Sequence, residues 1–302
     1  MGLRRSCLSV PGSSSKMLSK APALAADEVF IDLEDAVAPG EKTDSTRELA
    51  ASALLEGEWR AGILAIRVNG VTTPWCARDL DYLVSRAGKR IDCVIVPKVE
   101  DPSHVQFVAD VLTRLEGAQR LERRIGIEAL IENARGLVEV ERIAASSERL
   151  EALIFGPGDY AASLGVPQLS VGEIELEYPG DQWHYPLSRI VVAARAFGLQ
   201  AIDGPYATVR DLEGFRTSAR RSALLGFDGK WVIHPDQIGA ANDVYTPSRD
   251  QFDRAERLLA SYGRAAAGAA MHEGQMIDEA SRKMAEAIIQ RGRAPGVTGS
   301  ER

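Results

Sequence analysis

Short apolar runs recur along the chain, and the segments between them carry apolar residues three and four positions apart. The runs are rich in β-branched side chains, which favours buried parallel strands, whereas the intervening spacing predicts amphipathic helices. Eight runs are predicted as strands: Cys7–Val10, Val29–Leu33, Ile63–Val68, Cys93–Val96, Ile125–Ile131, Ala152–Phe155, Leu199–Ile202 and Lys230–Ile233. The helices predicted between them include Ser103–Leu115, Ala134–Ala145, Pro186–Phe197 and Asp211–Leu225. Repeated βα units of this number predict an α/β protein with a (β/α)8 TIM barrel.

The pattern changes after Tyr245. Thr246-Pro-Ser248 is typical of a helix start, and it is followed by the amphipathic stretch Gln251–Tyr262 and a last helix near Ser281–Gln290. We therefore expect a catalytic barrel over residues 1–245 and a C-terminal helical extension over residues 246–302. A doubly wound sheet is the alternative, but Gly156 and Gly158 form only part of a dinucleotide-binding fingerprint.

The longest gap between predicted strands lies between the sixth and the seventh. It contains Trp183 and His184 in a segment bounded by proline and glycine. Loops of this length often serve as lids or as walls of a substrate site. We expect such a role for this segment.

Polar residues follow the predicted strands, and in a TIM barrel all strand ends of this kind meet at the face where active sites are built. Glu132 and Asp159 follow consecutive predicted strands, whose axes lie about 4.8 Å apart, so both carboxylates could reach one magnesium ion. Capping of the following helices is the alternative reading of the same two acids. Spacing alone does not decide between them.

A second group of charges is predicted at the same face. Asp32, Glu34 and Asp35 follow the second strand, and their mutual repulsion requires nearby cations or metal-bound water. Arg67, at the end of the third strand, could hold a substrate carboxylate or stabilise an enolate oxygen, or simply pair with these acids. Helix capping suits Asp35 but not an inward-pointing Asp32.

Composition and charge mainly exclude other classes of protein. The chain has 302 residues, of which 45% are hydrophobic and 26% charged, with a net charge of −7, which argues against nucleic-acid binding. It has no apolar run near the roughly 18 residues of a membrane span and no signal peptide at its start, so we expect a cytoplasmic protein without a membrane partner. HExxH, P-loop and Ser-His-Asp patterns are absent, which argues against hydrolase and nucleotide chemistry.

A series of ordered motifs resembles the HpcH/HpaI aldolase and citrate lyase β-subunit family, and within it the malyl-coenzyme A lyases. The resemblance runs from Arg5 to about Ala287. Its motifs are Arg5-Ser-Cys-Leu-Ser-Val-Pro-Gly12, Asp32-Leu-Glu-Asp-Ala-Val37, Ile66-Arg-Val-Asn69, Val96-Pro-Lys98, Leu130-Ile-Glu132, Gly226-Phe-Asp-Gly-Lys230, Ile233-His-Pro235 and Gly274-Gln-Met-Ile-Asp278.

The resemblance implies a set of roles for these residues. Glu132 and Asp159 would bind Mg²⁺, with Mn²⁺ as a substitute, and Arg67 would bind the 2-oxo acid and the thioester oxygen as it becomes an enolate. Asp278 would be the acid/base group, although its position alone predicts a helix cap. In this family the C-terminal segment reaches a neighbouring subunit's barrel, which implies a homo-oligomer, a trimer or a hexamer. The acids Asp32, Glu34 and Asp35 would complete the catalytic group.

The resemblance also implies a coenzyme A site beside the first strand and the helix after it. The candidates for contacts with the thioester and its phosphates are Arg5, Ser9, Ser14, Lys16, Lys20, Gly158, Ile233 and His234. Relatives often carry an aromatic residue in place of Ser9 and an arginine in place of Ser14. Lys16 would then replace that arginine as a point charge without its bidentate geometry.

The function implied is the cleavage, or formation by Claisen-type condensation, of malyl- or β-methylmalyl-coenzyme A, with glyoxylate and acetyl- or propionyl-coenzyme A as the fragments. A citramalyl-coenzyme A lyase and a malyl-coenzyme A thioesterase are the near alternatives, since both would use the same magnesium site. A class II 2-oxo acid aldolase and a subunit without catalytic activity are the more distant ones.

Overall fold

The computed structural model describes residues 2–167, 169–173, 179–264 and 269–293. They belong to two compact units, Met1–Asn242 and Asp243–Arg302. Among the described residues, no helix has both the length and the apolar character that a bilayer span requires.

The first unit is a closed barrel of eight parallel strands arranged in chain order, so the predicted fold is confirmed. The strands are β1 Ser6–Pro11, β2 Glu28–Asp32, β3 Ile63–Arg67, β4 Cys93–Val96, β5 Gly126–Ile131, β6 Leu150–Phe155, β7 Gln200–Asp203 and β8 Gly229–Val232. β1 pairs with both β2 and β8, which closes the barrel. Each strand lies within two residues of its predicted bounds, because the buried apolar runs coincide with the strands.

Helices follow the strands around the outside of the barrel. They are α1 Ser15–Lys20, α2 Asp44–Glu56, α3 Cys76–Ala87, α4 Pro102–Gln119, α5 Ala134–Val138, α6 Val140–Ala144, α7 Pro157–Leu164, α8 His184–Ala196, α9 Leu212–Leu225 and α10 Asp236–Tyr245. Asp101 caps α4 and Asp211 caps α9 by accepting backbone N–H bonds, as their positions before the apolar periodicity suggest. The single helix expected over 134–145 is instead two short helices, because the backbone at Glu139 has a ψ of 6° and does not continue the first one.

The barrel interior is filled by alternate side chains of the strands. A buried cluster consists of Cys7, Phe30, Ala65, Cys93, Ile95, Leu130, Ala152, Ile154, Ile202 and Trp231. The rings of Phe30 and Trp231 lie 4.5 Å apart, so aromatic packing joins β2 to β8 across the interior. This layer is the floor beneath the carboxyl ends of the strands.

The opposite, amino end of the barrel is closed by Arg4. Its Nε donates to Glu28 and to Glu128, each at 2.8 Å, and its Nη2 lies 2.6 Å from Glu151. Arg4 and both of the first two acids are fully buried. The Arg4 guanidinium therefore joins the segment before β1 to β2, β5 and β6 from inside the barrel.

The second unit contains α11 Arg249–Arg264, the hairpin strands β9 Ala270–His272 and β10 Gln275–Ile277, and α12 Glu279–Arg293. The two helices pack through Phe252, Ala255, Ala285 and Ile289. Gly274 has a φ of 80° in the hairpin turn, where a residue without Cβ is favoured. Asp278 follows β10, and its carboxylate accepts the Ser281 N–H at 3.0 Å, so it caps α12.

Candidate active site

Asp32 and Arg67 lie side by side at the carboxyl ends of β2 and β3, where the strand register pairs their Cα atoms. The Arg67 Nε donates to one Asp32 oxygen at 2.8 Å and Nη2 donates to the other at 2.5 Å. Both side chains are buried: 8% of the Arg67 side chain and 1% of the Asp32 side chain are exposed. This bidentate pair fixes the plane of the guanidinium.

The Asp32 carboxylate also organises the chain that follows β2. It accepts the N–H of Glu34 at 2.9 Å and the N–H of Ala36 at 3.3 Å. Asp32 is therefore a buried anchor that holds both the turn after β2 and Arg67. No helix begins at this turn, so the observed contacts differ from a helix cap.

The rest of the Arg67 guanidinium faces Glu34 and an aromatic ring. Its Nη1 lies 3.2 Å from a Glu34 oxygen, and its central carbon lies 5.2 Å from the Trp231 ring centroid. Pairing with the acids of the second strand end, one of the alternatives considered from the sequence, is thus what the geometry shows. A guanidinium held on two sides is preorganised to stabilise negative charge on a ligand.

Lys98 connects this group to the next strand ends. It follows β4, and its Nζ makes an ion pair with Glu34 and lies 3.3 Å from Asp35. Its backbone N–H donates to Glu132 Oε1 at 2.7 Å. The φ of Lys98 is 51°, in the left-handed region, which aims the N–H and the side chain at these different partners.

Glu132 follows β5, with 3% of its surface exposed. Burial raises the pKa of its carboxyl group to about 8, and the negative charge of Asp159 contributes to this rise. Gly156, which follows β6, leaves the space that the Glu132 side chain occupies, since a Cβ there would be 2.4 Å from the Glu132 Cβ. Asp159 lies in the first turn of α7, two positions after Pro157.

The two acids suit a hard divalent cation. A buried carboxylate beside a second one is destabilised by burial and repulsion, and a cation between them removes both costs. Among the described residues, no cluster of three or more histidine, cysteine, aspartate and glutamate side chains forms a metal site. Two carboxylates would leave the other octahedral positions of Mg²⁺ to water and a chelating ligand.

The residues expected to contact coenzyme A are only partly brought together. Lys16 and Lys20 are exposed on α1, one helical turn apart, and Ser14 caps this helix by accepting the Met17 N–H at 3.3 Å. Ser9 lies half-buried within β1, and Gly158 lies in the first turn of α7.

Ile233 and His234 follow β8. Ile233 is exposed, and its N–H donates to Gln237 at 2.9 Å. The His234 Nδ1 accepts the Asp236 N–H at 3.3 Å, so the histidine shapes the turn before α10. This contact agrees with a loop-orienting role for His234.

Arg5 is placed differently from the expectation. It precedes β1, at the amino end of the barrel, and its Nε and Nη2 donate to Asp27 at 2.7 and 2.8 Å. The active-site face is at the other end of the strand, because parallel strands place all their carboxyl ends together. The expectation that Arg5 acts with Lys16 and Lys20 is therefore not supported, and the residue has a structural partner instead.

The lid or wall role expected for the long segment before α8 stays a prediction, because residues 168 and 174–178 lie outside the described part of the chain. Trp183 is buried, its ring packs near Phe155 and Tyr160, and its Nε1 donates to the Glu173 carbonyl at 3.1 Å. Trp183 therefore fixes this segment to the outside of β6.

Lys98, Gly156 and Trp231 take part in this site, although no role was assigned to them from the sequence. Lys98 had a signal, because it stands directly after a predicted strand within Val96-Pro-Lys98. Gly156 and Trp231 had none, since a steric gap for a neighbouring side chain and a ring beneath a guanidinium exist only in three dimensions.

The chain is similar to known proteins along most of its length. The family model described as HpcH/HpaI aldolase/citrate lyase matches residues 5–235. An L-malyl-CoA/beta-methylmalyl-CoA lyase of Cereibacter sphaeroides is 39% identical over 93% of this chain and 92% of its own length. A (3S)-malyl-CoA thioesterase from the same species is 33% identical over 91% of this chain and 89% of its own length.

A solved structure adds ligands to the comparison. The protein CitE from Mycobacterium tuberculosis, in complex with magnesium, acetoacetate and coenzyme A, has a TM-score of 0.75 and 30% identity. The match covers 96% of this chain and 98% of that one. The likeness therefore extends through both compact units of the chain.

Proposed function

Because this chain belongs to the HpcH/HpaI aldolase/citrate lyase family, we propose that it is a magnesium-dependent lyase that cleaves or forms a carbon–carbon bond in a short 3-hydroxyacyl-coenzyme A thioester. Malyl- and β-methylmalyl-coenzyme A are the proposed substrates, since they are named for relatives that match over most of their length. The observation that carries the proposal is the placement of buried Glu132 with Asp159 at the barrel face that also holds Arg67.

Glu132 and Asp159 would hold Mg²⁺ through their carboxylates. When bound, Mg²⁺ would supply Lewis-acid polarisation of a 2-oxo acid such as glyoxylate. The backbone N–H of Lys98 keeps one Glu132 oxygen in place and leaves the other on the side of Gly156. The chain therefore presents a carboxylate of fixed orientation to the cation.

In the cleavage direction, the 3-hydroxyl group loses its proton and the bond between C2 and C3 breaks. The electron pair of that bond passes to the thioester as an enolate, glyoxylate is released, and C2 then takes up a proton. Arg67 would stabilise the enolate oxygen, because Asp32 holds its guanidinium rigidly and Trp231 packs against it. Condensation is the same sequence in reverse.

Asp278 is the proposed acid/base group for C2. It is exposed in the second unit, where the Ser281 N–H and hydroxyl lower the pKa of its carboxyl group. We propose that it acts on the barrel of a neighbouring copy in a homo-oligomer, a trimer or a hexamer. An exposed carboxylate on a compact helical unit suits contact with a second subunit.

For coenzyme A, the proposal keeps Ser9, Ser14, Lys16 and Lys20 on and after β1. The two lysines are exposed cations on one helix, which suits the phosphates of the ligand. Gly158, Ile233 and His234 remain proposed contacts at the ends of other strands.

A thioesterase is the second candidate, favoured by the 33% identical (3S)-malyl-CoA thioesterase. There, water would attack the thioester carbonyl and release free coenzyme A with the intact acid. Purified protein with Mg²⁺ would be incubated with malyl-, β-methylmalyl- and citramalyl-coenzyme A, and free thiol and 2-oxo acid would be measured separately. We expect 2-oxo acid without free thiol. Thiol release without 2-oxo acid would show a thioesterase, and neither product would contradict both functions.

A further inference from the structure

Lys98 has an unusual backbone conformation, with a positive φ. Within the described residues, three non-glycine residues have a positive φ: Lys98, Arg120 and Glu273. Arg120 ends α4 and Glu273 lies in the β9–β10 turn, where such values are common. Lys98 instead follows a strand, without a helix end or a hairpin to account for its φ of 51°.

The unusual conformation gives Lys98 two sets of contacts. The main-chain N–H reaches Glu132 at 2.7 Å, on the side of the proposed metal ligands. The side chain turns the other way and pairs its ammonium group with Glu34 and Asp35. The Glu34 side chain is 6% exposed and that of Lys98 is 40% exposed, so the pair lies at the edge of the buried site.

The balance of charge explains why this pairing matters. The site described above contains five carboxylates, those of Asp32, Glu34, Asp35, Glu132 and Asp159, and two basic side chains, those of Arg67 and Lys98. Asp32 is satisfied by Arg67 and by backbone N–H groups. Without Lys98, Glu34 would keep only its 3.2 Å contact to Arg67 as an ion pair, and Asp35 a contact of 4.0 Å to the same group.

The charge of Glu34 acts on Glu132 and that of Asp159 acts on Lys98, so this cluster lies near the proposed metal ligands. Carboxylates released there would compete strongly for the coordination positions of a divalent cation. An extra carboxylate bound there would occupy a position that a chelating 2-oxo acid needs. We propose that the Lys98 ammonium is a positioning group that holds Glu34 and Asp35 away from the metal, so that coordination positions stay open for the substrate. This inference rests on the proposed function, because it takes Glu132 and Asp159 as the metal ligands.

The inference predicts two changes of opposite sign when the ammonium is removed. In Lys98→Met, Mn²⁺ affinity rises roughly tenfold, because one positive charge near the cation is lost and a carboxylate is freed. Glyoxylate binding to the Mn²⁺-loaded protein weakens, since a protein ligand occupies its position. Damage to the site would instead weaken both.

Three further variants separate charge from folding. Lys98→Gly keeps the backbone N–H and suits a left-handed φ, so the fold is preserved, and we expect the same two changes. Lys89→Met removes a lysine from the segment before β4, at the opposite end of the barrel, and neither affinity should change. The double variant Lys98→Met/Glu34→Gln should bring Mn²⁺ affinity back towards that of the wild type.

The measurement is the signal of free Mn²⁺ by electron paramagnetic resonance on the full chain, titrated with and without glyoxylate. Tighter Mn²⁺ binding with weaker glyoxylate binding in both Lys98 variants would support the proposal. Unchanged or weaker Mn²⁺ binding in variants of a wild type that binds Mn²⁺ would overturn this inference alone. A wild-type protein that binds no Mn²⁺ would overturn the inference together with the proposed function.

Discussion

The Glu132 side chain lies in the space left by the missing side chain of Gly156. A Cβ on Gly156 would be 2.4 Å from the Glu132 Cβ and 2.7 Å from its Oε2, so the Glu132 side chain would have to shift. The proposed metal ligand on one strand end therefore depends on a glycine on the next. This dependence links the packing of β5 and β6 to the chemistry of the site.

Gly156→Ala should displace the Glu132 carboxylate and weaken Mg²⁺ binding by roughly tenfold or more, which corresponds to about 1.4 kcal/mol. Isothermal titration calorimetry with Mg²⁺ measures the effect. Gly117→Ala is the matched control, because a Cβ there meets nothing within 4 Å and the residue lies in α4. Equal Mg²⁺ affinities for the two variants would contradict the steric dependence.

Arg67→Lys keeps the charge but loses the bidentate bond to Asp32. Since the fixed guanidinium is proposed to stabilise the enolate, kcat should fall by about 10²–10³ while Mg²⁺ affinity changes little. Steady-state assays of 2-oxo acid release test this. Arg78→Lys, in an exposed pair with Asp44, should leave kcat unchanged. An Arg67→Lys variant with the kcat of the wild type would remove the assigned role.

Mixing two inactive variants tests whether the site is shared between subunits. Asp278→Asn and Glu132→Gln damage different units of the chain, so each alone should lose turnover. If Asp278 of one copy serves the barrel of another, unfolding and refolding the two together should restore about a quarter of the wild-type activity. Activity no higher than that of either variant alone would count against a shared site.

The amino end of the barrel predicts a pH dependence of stability. Burial, and then the charge of Glu128, raise the pKa of Glu28 well above its ordinary value of 4.5. The folded state thus keeps a proton that the unfolded state has lost, so stability falls as pH rises from about 4.5 towards the raised pKa, by at most about 1.4 kcal/mol per pH unit.

Glu28→Gln removes this titration, so its free energy of unfolding in urea should depend less on pH than that of the wild type. The difference between the two proteins should grow in favour of the variant as pH rises. Glu58→Gln, at an exposed position, should follow the wild type. A wild-type curve parallel to that of Glu28→Gln would show that Glu28 does not carry the proton.

The barrel could be predicted because its strands are buried on both faces, so that nearly every residue of a strand is apolar and the strands appear in the sequence as apolar runs. β4 has the bounds expected, and the register that pairs Asp32 with Arg67 follows from consecutive parallel strands. The family resemblance is likewise confirmed by the match over residues 5–235. The interruption of the helix at Glu139 was not predicted, because the spacing of apolar residues continues across it and does not show a change in the backbone at one residue.

The candidate site could be predicted only as a set of charges at one face. Which charged groups pair depends on the directions of the side chains. Arg67 forms an ion pair with Asp32, whereas Lys98 forms one with Glu34. The placement of Arg5 was misjudged because its motif continues directly into β1, although the residue itself lies at the other end of the strand. Strand polarity is therefore as important as motif spacing when residues are assigned to a site.

The proposed function depends on the binding of a single divalent cation by Glu132 and Asp159. Mn²⁺ binding followed by electron paramagnetic resonance tests this site directly, because it does not require turnover. We expect one bound Mn²⁺ per wild-type chain, with a bound-state spectrum that changes on addition of glyoxylate. Glu132→Gln and Asp159→Asn should each lose this binding, whereas Asp110→Asn, an exposed acid on α4, should retain it. Mn²⁺ affinities equal to that of the wild type in both Glu132→Gln and Asp159→Asn would contradict this metal site. So would a wild-type protein that binds no Mn²⁺.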